Sequence, residues 1–329
     1  MASKRLAEPL ALAALPALLL SATIGAGQVP VTTQIVDALN KVYGVHPGFR
    51  ANHAKGIVVE GHFRASPGAA QLSRAVLFSG KTYPVTARFS DSGGLPDLGD
   101  GSPGANPHGM AIKFHLPAGV DTDMVINSLK FFPVATAEEF RDLLLAIAAS
   151  PAGAPKPSKL DQFMASHPNA PKALATASTP ASLADEEYYG IDAFILVNKE
   201  GHRQAVRYIM SPEKVVHLTS AEAGAKGPNY LIEDLSKRLA QKPVVFHLKA
   251  QLAEPGDPTS DPTRPWPEGH KVVELGVLTV EKVAMDSLKA QKKLLFMPTQ
   301  LTDGIELSDD PLIAVRAAAY GESFSRRSR

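Results

Sequence analysis

In the stretch RAAAYGESFSRR, residues 316–327, Arg316 and Tyr320 stand four residues apart. On a helix that spacing puts both side chains on one face, within reach of each other. A guanidinium held against a phenol favours the phenolate and lowers its pKa from the usual value of about 10. A phenolate is a hard anionic ligand suited to ferric iron. The same pair is commonplace on surface helices, so spacing alone assigns it no chemistry. A second residue of interest is His53, in RANHAKG just ahead of the apolar run IVVEGHF. An imidazole there is either a ring satisfied by its packed neighbours or a proton-transfer group.

Composition narrows the chemistry available to these residues. The chain has no cysteine, which removes disulfides, thiolate nucleophiles, iron–sulfur clusters and Cys-ligated metals. Any metal must be held by His, Tyr or carboxylate. Lys plus Arg number 34 against 33 Asp plus Glu, so no chain-wide field favours nucleic acid or an anionic membrane, and no nucleic-acid partner is expected. The ten histidines include no His-Glu-x-x-His, and no Gly-x-Ser-x-Gly occurs, so zinc-hydrolase and serine-hydrolase readings lack a motif.

The elements that must position these residues are legible from periodicity. TTQIVDALNKVYG has apolar residues at helical spacing and stops at Gly44. GIVVEGHFRA, RAVLFSGKTYPVTARFSDSG, GMAIKFHLP and DMVINSLKFFPV read as four successive strands. Thr136 and Glu139 spell a capping box ahead of FRDLLLAIAAS. The Pro/Ala/Ser-rich stretch 150–180 predicts a surface excursion with short helices at most. GIDAFILVNKEGHRQAVRYIM reads as a hairpin, GPNYLIEDLSKRLAQK as a helix, and PVVFHLKAQLAE and KVVELGVLTVEKV as two more strands. The final SDDPLIAVRAAAYGESFSRR is a helix with acids and Pro311 at its mouth and arginines at its end. About eight strands in two groups of four, with helices between and after, predict an α+β chain built on an antiparallel barrel with helices outside.

At the N-terminus, Lys4 and Arg5 precede 13 uncharged residues, LALAALPALLLSA, and then the small-residue stretch TIGAGQ. That pattern reads as an export signal over residues 1–28, retained or cleaved. The expected location is outside the cytoplasm, periplasmic in a two-membrane cell, with membrane anchorage through this leader only. Residues 29–329 are then the functional domain.

Five stretches, HPGFRANHAKG, TARFSDSGG, NPHGMAIKF, DMVINSLKFF and RAAAYGESFSRR, together resemble the catalase superfamily, and in particular its short catalase-related peroxidases. YYGIDAFILVNKEG and DPTRPWPEGHKVVELGVLTV also read as family sequence, and the segments keep the family's order over residues 34–329. The resemblance implies an eight-stranded antiparallel catalase-like barrel and haem b as cofactor. It makes His53 the distal acid–base and Asn127 the amide that polarises peroxide. Ser90 becomes the serine on the other nitrogen of the histidine ring. Tyr320 becomes the proximal iron ligand, with Arg316 stabilising its phenolate. Arg50, Arg88 and Arg327 fall where the family binds the haem propionates, and Phe140 is placed as a haem-stacking aromatic. The physics agrees: heterolysis of a bound peroxide needs one group to take a proton from one oxygen and return it to the departing one, and a neutral imidazole does both.

Departures from the family pattern matter as well. Large catalases read Asp-Pro-Arg-Gly where this chain has Asn106, Pro107, His108 and Gly109, and His108 is expected to be a surface loop residue. The sequence ends nine residues past Tyr320, which is expected to leave it without the C-terminal helical and flavodoxin-like domains of larger relatives. The implied pocket is more open and admits a small organic reductant. The expected activity is a haem peroxidase reducing hydrogen peroxide or small organic peroxides through a ferryl intermediate, with catalase activity second and a homo-oligomer as one assembly. Two alternatives stay open: a hydroperoxide-rearranging enzyme of oxylipin type, and a non-catalytic haem-binding barrel.

Overall fold

The computed structural model describes residues 29–328. The leader read at residues 1–28 lies outside the described residues. Helix α1, Val31–Tyr43, buries Ile35, Val36, Ala38 and Leu39 along one face and ends at Gly44, whose φ of 81° is open to glycine at little cost. Four strands follow in sequence: β1 (Gly56–Ala65), β2 (Thr82–Ser90), β3 (Gly109–His115) and β4 (Asp121–Asn127). Helix α2, Ala137–Ala148, starts with the expected capping box, Thr136 Oγ1 accepting from Glu139 N–H and the Glu139 carboxylate accepting in return. Two short helices, α3 (Lys159–Ser166) and α4 (Asn169–Leu174), occupy the Pro-rich excursion. Then come β5 (Tyr188–Tyr189), β6 (Phe194–Val197), β7 (Arg203–Pro212), helix α5 (Tyr230–Leu239), β8 (Val244–Leu252) and β9 (Val272–Val283). The chain finishes with α6 (Ser287–Lys293), β10 (Ile305–Leu307) and α7 (Pro311–Arg327).

Eight of these strands close a ring in the order β1-β2-β3-β4-β5-β7-β8-β9, every neighbouring pair antiparallel, with β9 returning to β1. Closure leaves the ring no open edge. The expected barrel is therefore present, with one change of membership. Phe194–Val197 pairs with β7 beside the ring and carries β10 on its other edge, while the two-residue β5 links β4 to β7. Of the second predicted strand, only its later half is a strand: Val76–Phe78 forms a tight helical turn that buries Leu77 and Phe78. Helix α6 was not anticipated, because its seven residues, three of them lysine, carry too short an apolar pattern to signal a helix.

Alternating residues fill the barrel. Val59 and Phe63 of β1, Ala87 and Phe89 of β2, Met110, Ile112 and Phe114 of β3, and Phe246 and Leu248 of β8 all belong to one buried cluster. Phe63 and Phe114 meet edge to face at 5.3 Å. Each of these side chains larger than alanine contributes about 1.5–3 kcal/mol on leaving water. A packed interior leaves no room for a large ligand, so a site must lie outside the barrel wall.

Candidate active site

The strand register gathers the polar residues at one rim. Gly56 opposes Ser90, Ser90 opposes Gly109, Gly109 opposes Asn127, and Asn127 opposes Tyr189. Because successive side chains alternate across a sheet, Phe89 and Ile126 join the interior while Arg88, Ser90 and Asn127 face the other way. Helices α1, α2 and α7 stand against that outer wall, α1 packing on both of the others. Between wall and helices lies a cavity of about 210 Å³. Its lining includes every predicted site residue: Arg50, His53, Arg88, Ser90, Asn127, Phe140, Arg316, Tyr320 and Arg327. Helix α7 contributes Leu312, Val315, Arg316, Ala319, Tyr320, Ser323 and Arg327, the spacing of one helical face.

His53 sits in the loop before β1 with φ at 55°, the left-handed region. That conformation costs a non-glycine residue about 1–2 kcal/mol. Hydrogen bonds from His53 N–H to Ser92 O and from Ala54 N–H to Gly93 O, both 2.9 Å, hold it there. Two residues on, the buried Lys55 pairs with Asp100 and donates to the Leu98 and Pro228 carbonyls, which pins the same loop. Strain maintained by its surroundings is a mark of functional placement. His53 Nδ1 lies 3.1 Å from Ser90 Oγ, so Nε2 is the nitrogen presented to the cavity. Gly109 is required beside it: a Cβ there would fall 2.9 Å from Ser90 Oγ and 3.0 Å from His53 Nδ1. Burial lowers the His53 pKa from 6.5 to about 4, helped by the positive charge of Arg88 and opposed by the Asp91 hydrogen bond. The ring is therefore neutral near pH 7. Asn127 Oδ1 accepts from Leu129 N–H at 2.8 Å, which fixes the amide and leaves its NH2 as the donor face.

On helix α7, Arg316 Nε donates to Tyr320 Oη at 3.3 Å, as their spacing predicts. The same guanidinium forms an ion pair with the buried Asp192 and donates to Val125 O. Asp192 and the Val125 carbonyl thus hold it against the phenol. The phenol oxygen therefore accepts a hydrogen bond from a guanidinium that is itself fixed in place.

Three guanidiniums mark another part of the cavity. Arg50 donates to the Gln291 and Leu294 carbonyls, Arg88 to Gln291 Oε1 and the His53 and Ala54 carbonyls, and Arg327 to the Leu294 carbonyl. Among the described residues none of the three has a carboxylate in an ion pair, and Arg327 Nε is buried without a partner. Burial lowers all three, Arg327 to about 10 by burial alone; repulsion from neighbouring guanidiniums adds to it at Arg88, lowered to about 9, and at Arg50, which falls well below its ordinary range. Such a cluster stabilises an anion, and a planar fork suits a carboxylate. Phe140 and Phe132, 5.4 Å apart, add aromatic surface to a lining rich in aliphatic side chains. A flat apolar body, a carboxylate-bearing edge and a phenol oxygen as axial ligand are what haem requires, and the residues present fit it.

A family model for catalase matches residues 35–328, nearly the whole described chain. The chain belongs to the catalase family. Within it, the catalase-related peroxidase of Synechococcus elongatus is 35% identical over 326 residues, covering 97% of this chain and 96% of that protein. The catalase-related peroxidase of Mycolicibacterium paratuberculosis is 35% identical over 300 residues, covering 90% and 94%. A fungal catalase structure superposes with a TM-score of 0.77 at 21% identity, over 86% of this chain and 60% of that one, a likeness of fold. As a catalase-family protein related to these peroxidases, the chain is a peroxide-acting oxidoreductase.

Some of this catalase-family site was not anticipated. Asp192, within the family-like YYGIDAF, is the anionic partner of Arg316. Ser323 accepts from Ala51 N–H at 3.2 Å, tying α7 to the histidine loop. Gln291 on α6 holds both Arg50 and Arg88, and its sequence surroundings carry no signal. His108 corrects an expectation. It is 0% exposed, not a surface loop residue, because the start of β3 passes directly behind Ser90 and His53.

Proposed function

We propose that this protein is a haem b peroxidase that reduces hydrogen peroxide or small organic peroxides with a small organic reductant, and that disproportionates hydrogen peroxide as a second activity. The observation that carries the reading is one cavity lined by a neutral, backbone-strained His53, an Arg316-supported Tyr320 and three guanidiniums that have no carboxylate partner among the described residues. Tyr320 Oη would ligate the iron, and Arg50, Arg88 and Arg327 would hold the propionates. Bound haem would supply the electrons that cleave the peroxide O–O bond.

The side chains do the rest. Asn127 NH2 donates to the peroxide and orients it. His53 Nε2 takes the proton from the inner oxygen and returns it to the outer one, which leaves as water and not as hydroxide. Ser90 keeps the ring in the tautomer that presents a lone pair to the cavity. The leader at residues 1–28 supports export, which fractionation of cells expressing the full chain would test.

The deciding experiment is an absorption spectrum of the purified protein followed by rapid mixing with peroxide, recording dioxygen release and oxidation of a phenolic dye together. Dye oxidation in the parent and its loss in His53→Ala with haem retained is the expected result. Dioxygen release without dye oxidation would replace the peroxidase reading with a catalase one, and a protein that takes up no haem would end both.

A further inference from the structure

One phenol among the seven tyrosines is set apart by what it bonds. Tyr189 Oη donates to Glu187 Oε2 at 2.5 Å, and Glu187 Oε1 accepts from Ser211 Oγ of β7 at 2.6 Å. No other tyrosine has a carboxylate acceptor among the described residues. Tyr188 and Tyr230 donate to the Leu183 and Pro180 carbonyls, Tyr83 shares a hydrogen bond with Ser79 Oγ, and Tyr320 accepts from Arg316. Burial alone shifts Tyr43 and Tyr208. The distinction has a chemical consequence. A phenol that gives up an electron becomes a strong acid and parts with its proton in the same event. A carboxylate already in hydrogen-bond contact takes that proton, whereas a carbonyl or hydroxyl is too weak a base and a guanidinium opposes loss of the electron.

The position of Tyr189 is equally specific. It stands directly opposite Asn127 in the strand register. Opposed residues of antiparallel strands project on one side, with β-carbons about 4.5–5.5 Å apart. Tyr188 fills the barrel interior, so Tyr189 projects on the outer face that Asn127 shares. Two and three positions further on, Ile191 and Asp192 line the cavity. Tyr189 is thus an immediate neighbour of the cavity wall. Its ring is half-buried, and its phenol feels the charge of Glu268, whose side chain is 90% exposed. Burial first, and the Glu187 hydrogen bond second, hold the phenol well above its usual pKa, so at rest it keeps its proton.

We propose that Tyr189, with Glu187 as its proton acceptor, is a second oxidation site, through which phenols and hydroquinones too bulky to enter the cavity deliver electrons from the surface to the haem. This rests on the peroxidase reading. Once peroxide has withdrawn electrons from the haem, Tyr189 returns one and Glu187 takes the phenolic proton: Tyr–OH + Glu–COO− → Tyr–O• + Glu–COOH + e−. A phenolic reductant at the surface then transfers a hydrogen atom, ArOH + Tyr–O• → ArO• + Tyr–OH, breaking its O–H bond and restoring that of Tyr189. Glu187 releases its proton to solvent. Two turns supply two electrons, and the two protons set free match the two taken up with them: H2O2 + 2 ArOH → 2 H2O + 2 ArO•. Glu187, Glu186 and Glu268 all act on the phenol, so the spot suits an uncharged or cationic aromatic, whereas the three guanidiniums of the cavity suit an anion.

The test compares the haem-loaded parent with Tyr189→Phe, which keeps the ring, and Glu187→Gln, which keeps a hydrogen-bond acceptor and removes the base. Rapid freezing after peroxide addition without reductant, followed by electron paramagnetic resonance, should show a tyrosyl radical in the parent, and a spin trap should leave its adduct on the peptide that holds Tyr189. Tyr189→Phe should lose both signals, and Glu187→Gln should form less radical. Haem content, circular dichroism and the rate of peroxide reaction should match the parent in both variants. Oxidation of a small phenol should persist in Tyr189→Phe, while oxidation of a hydroquinone tethered to a soluble polymer should be lost. A parent that does not react with peroxide removes the peroxidase reading and this proposal together. A parent that reacts yet forms no radical at Tyr189 removes the proposal alone, and so does a Tyr189→Phe variant that oxidises the tethered hydroquinone as well as the parent. An equal radical yield in Glu187→Gln also overturns it, because the carboxylate is then not the base.

Discussion

The acid limb of the peroxide reaction is the most quantitative consequence of the site. Folding takes His53 from a pKa of 6.5 to about 4, chiefly because the protein packed around the ring removes water from its charged form. At pH 6 about one ring in a hundred is then protonated, against about three in four for an unshifted imidazole. The bimolecular rate of peroxide reaction should therefore stay level from pH 8 to about 5 and halve near pH 4. Arg88 is the second cause of the shift, so Arg88→Gln should move the limb upward, toward 6.5. The same shift has a stability cost of known sign. Between pH 6.5 and 4 the unfolded ring binds a proton that the folded ring refuses, so stability is fully present above 6.5 and falls as pH drops through the window. The loss approaches about 3 kcal/mol below pH 4. His53→Gln should flatten that part of a denaturation-versus-pH curve. Rates recorded by rapid mixing over pH 4–8 and denaturant midpoints over the same range are the two measurements. A limb centred near 6.5 in the parent would refute desolvation of the ring, and with it the account of why this histidine is a neutral base.

Tyr320→Phe keeps the ring and removes the ligand oxygen, so haem uptake followed by its visible absorption band should be weakened or lost while circular dichroism is unchanged. Asp192→Ala leaves the Arg316 guanidinium short of its buried counter-ion, and truncating one partner of such a pair costs about 3–5 kcal/mol; a thermal midpoint equal to the parent's would contradict it. Gly109→Ala drives a Cβ against Ser90 Oγ and the His53 ring, and overpacking of that kind costs about 1–3 kcal/mol. Its expected signature is a slower peroxide reaction with normal haem content. Asp310 caps α7 by accepting from Leu312 N–H at 2.9 Å, and burial raises its pKa from 3.8 to about 6. The folded carboxyl thus keeps a proton that the unfolded one has lost, stability falls as pH rises from about 4 to 6, and Asp310→Asn should remove that slope in a denaturant series.

Local pattern was enough to determine much of this protein. The capping box at Thr136, the Gly44 stop, the Pro311 start and the alternating runs of β1, β3, β8 and β9 express preferences that act within a few residues, and a barrel with outer helices follows from their order. The i,i+4 spacing likewise determined that Arg316 reaches Tyr320. The roles of His53, Ser90, Asn127 and the arginines came from resemblance, since nothing within a few residues of each shows which partners it meets. Tertiary structure alone decided that Gln291 ties Arg50 to Arg88, that Asp192 answers Arg316 across 124 positions, and that two-residue β5, too short to carry a period, completes the ring. It also decided that His108 is buried. Asn-Pro-His-Gly reads as a turn by composition, but burial depends on what packs over a segment, and here barrel closure draws it behind the distal wall beside Asp91 and Ser128.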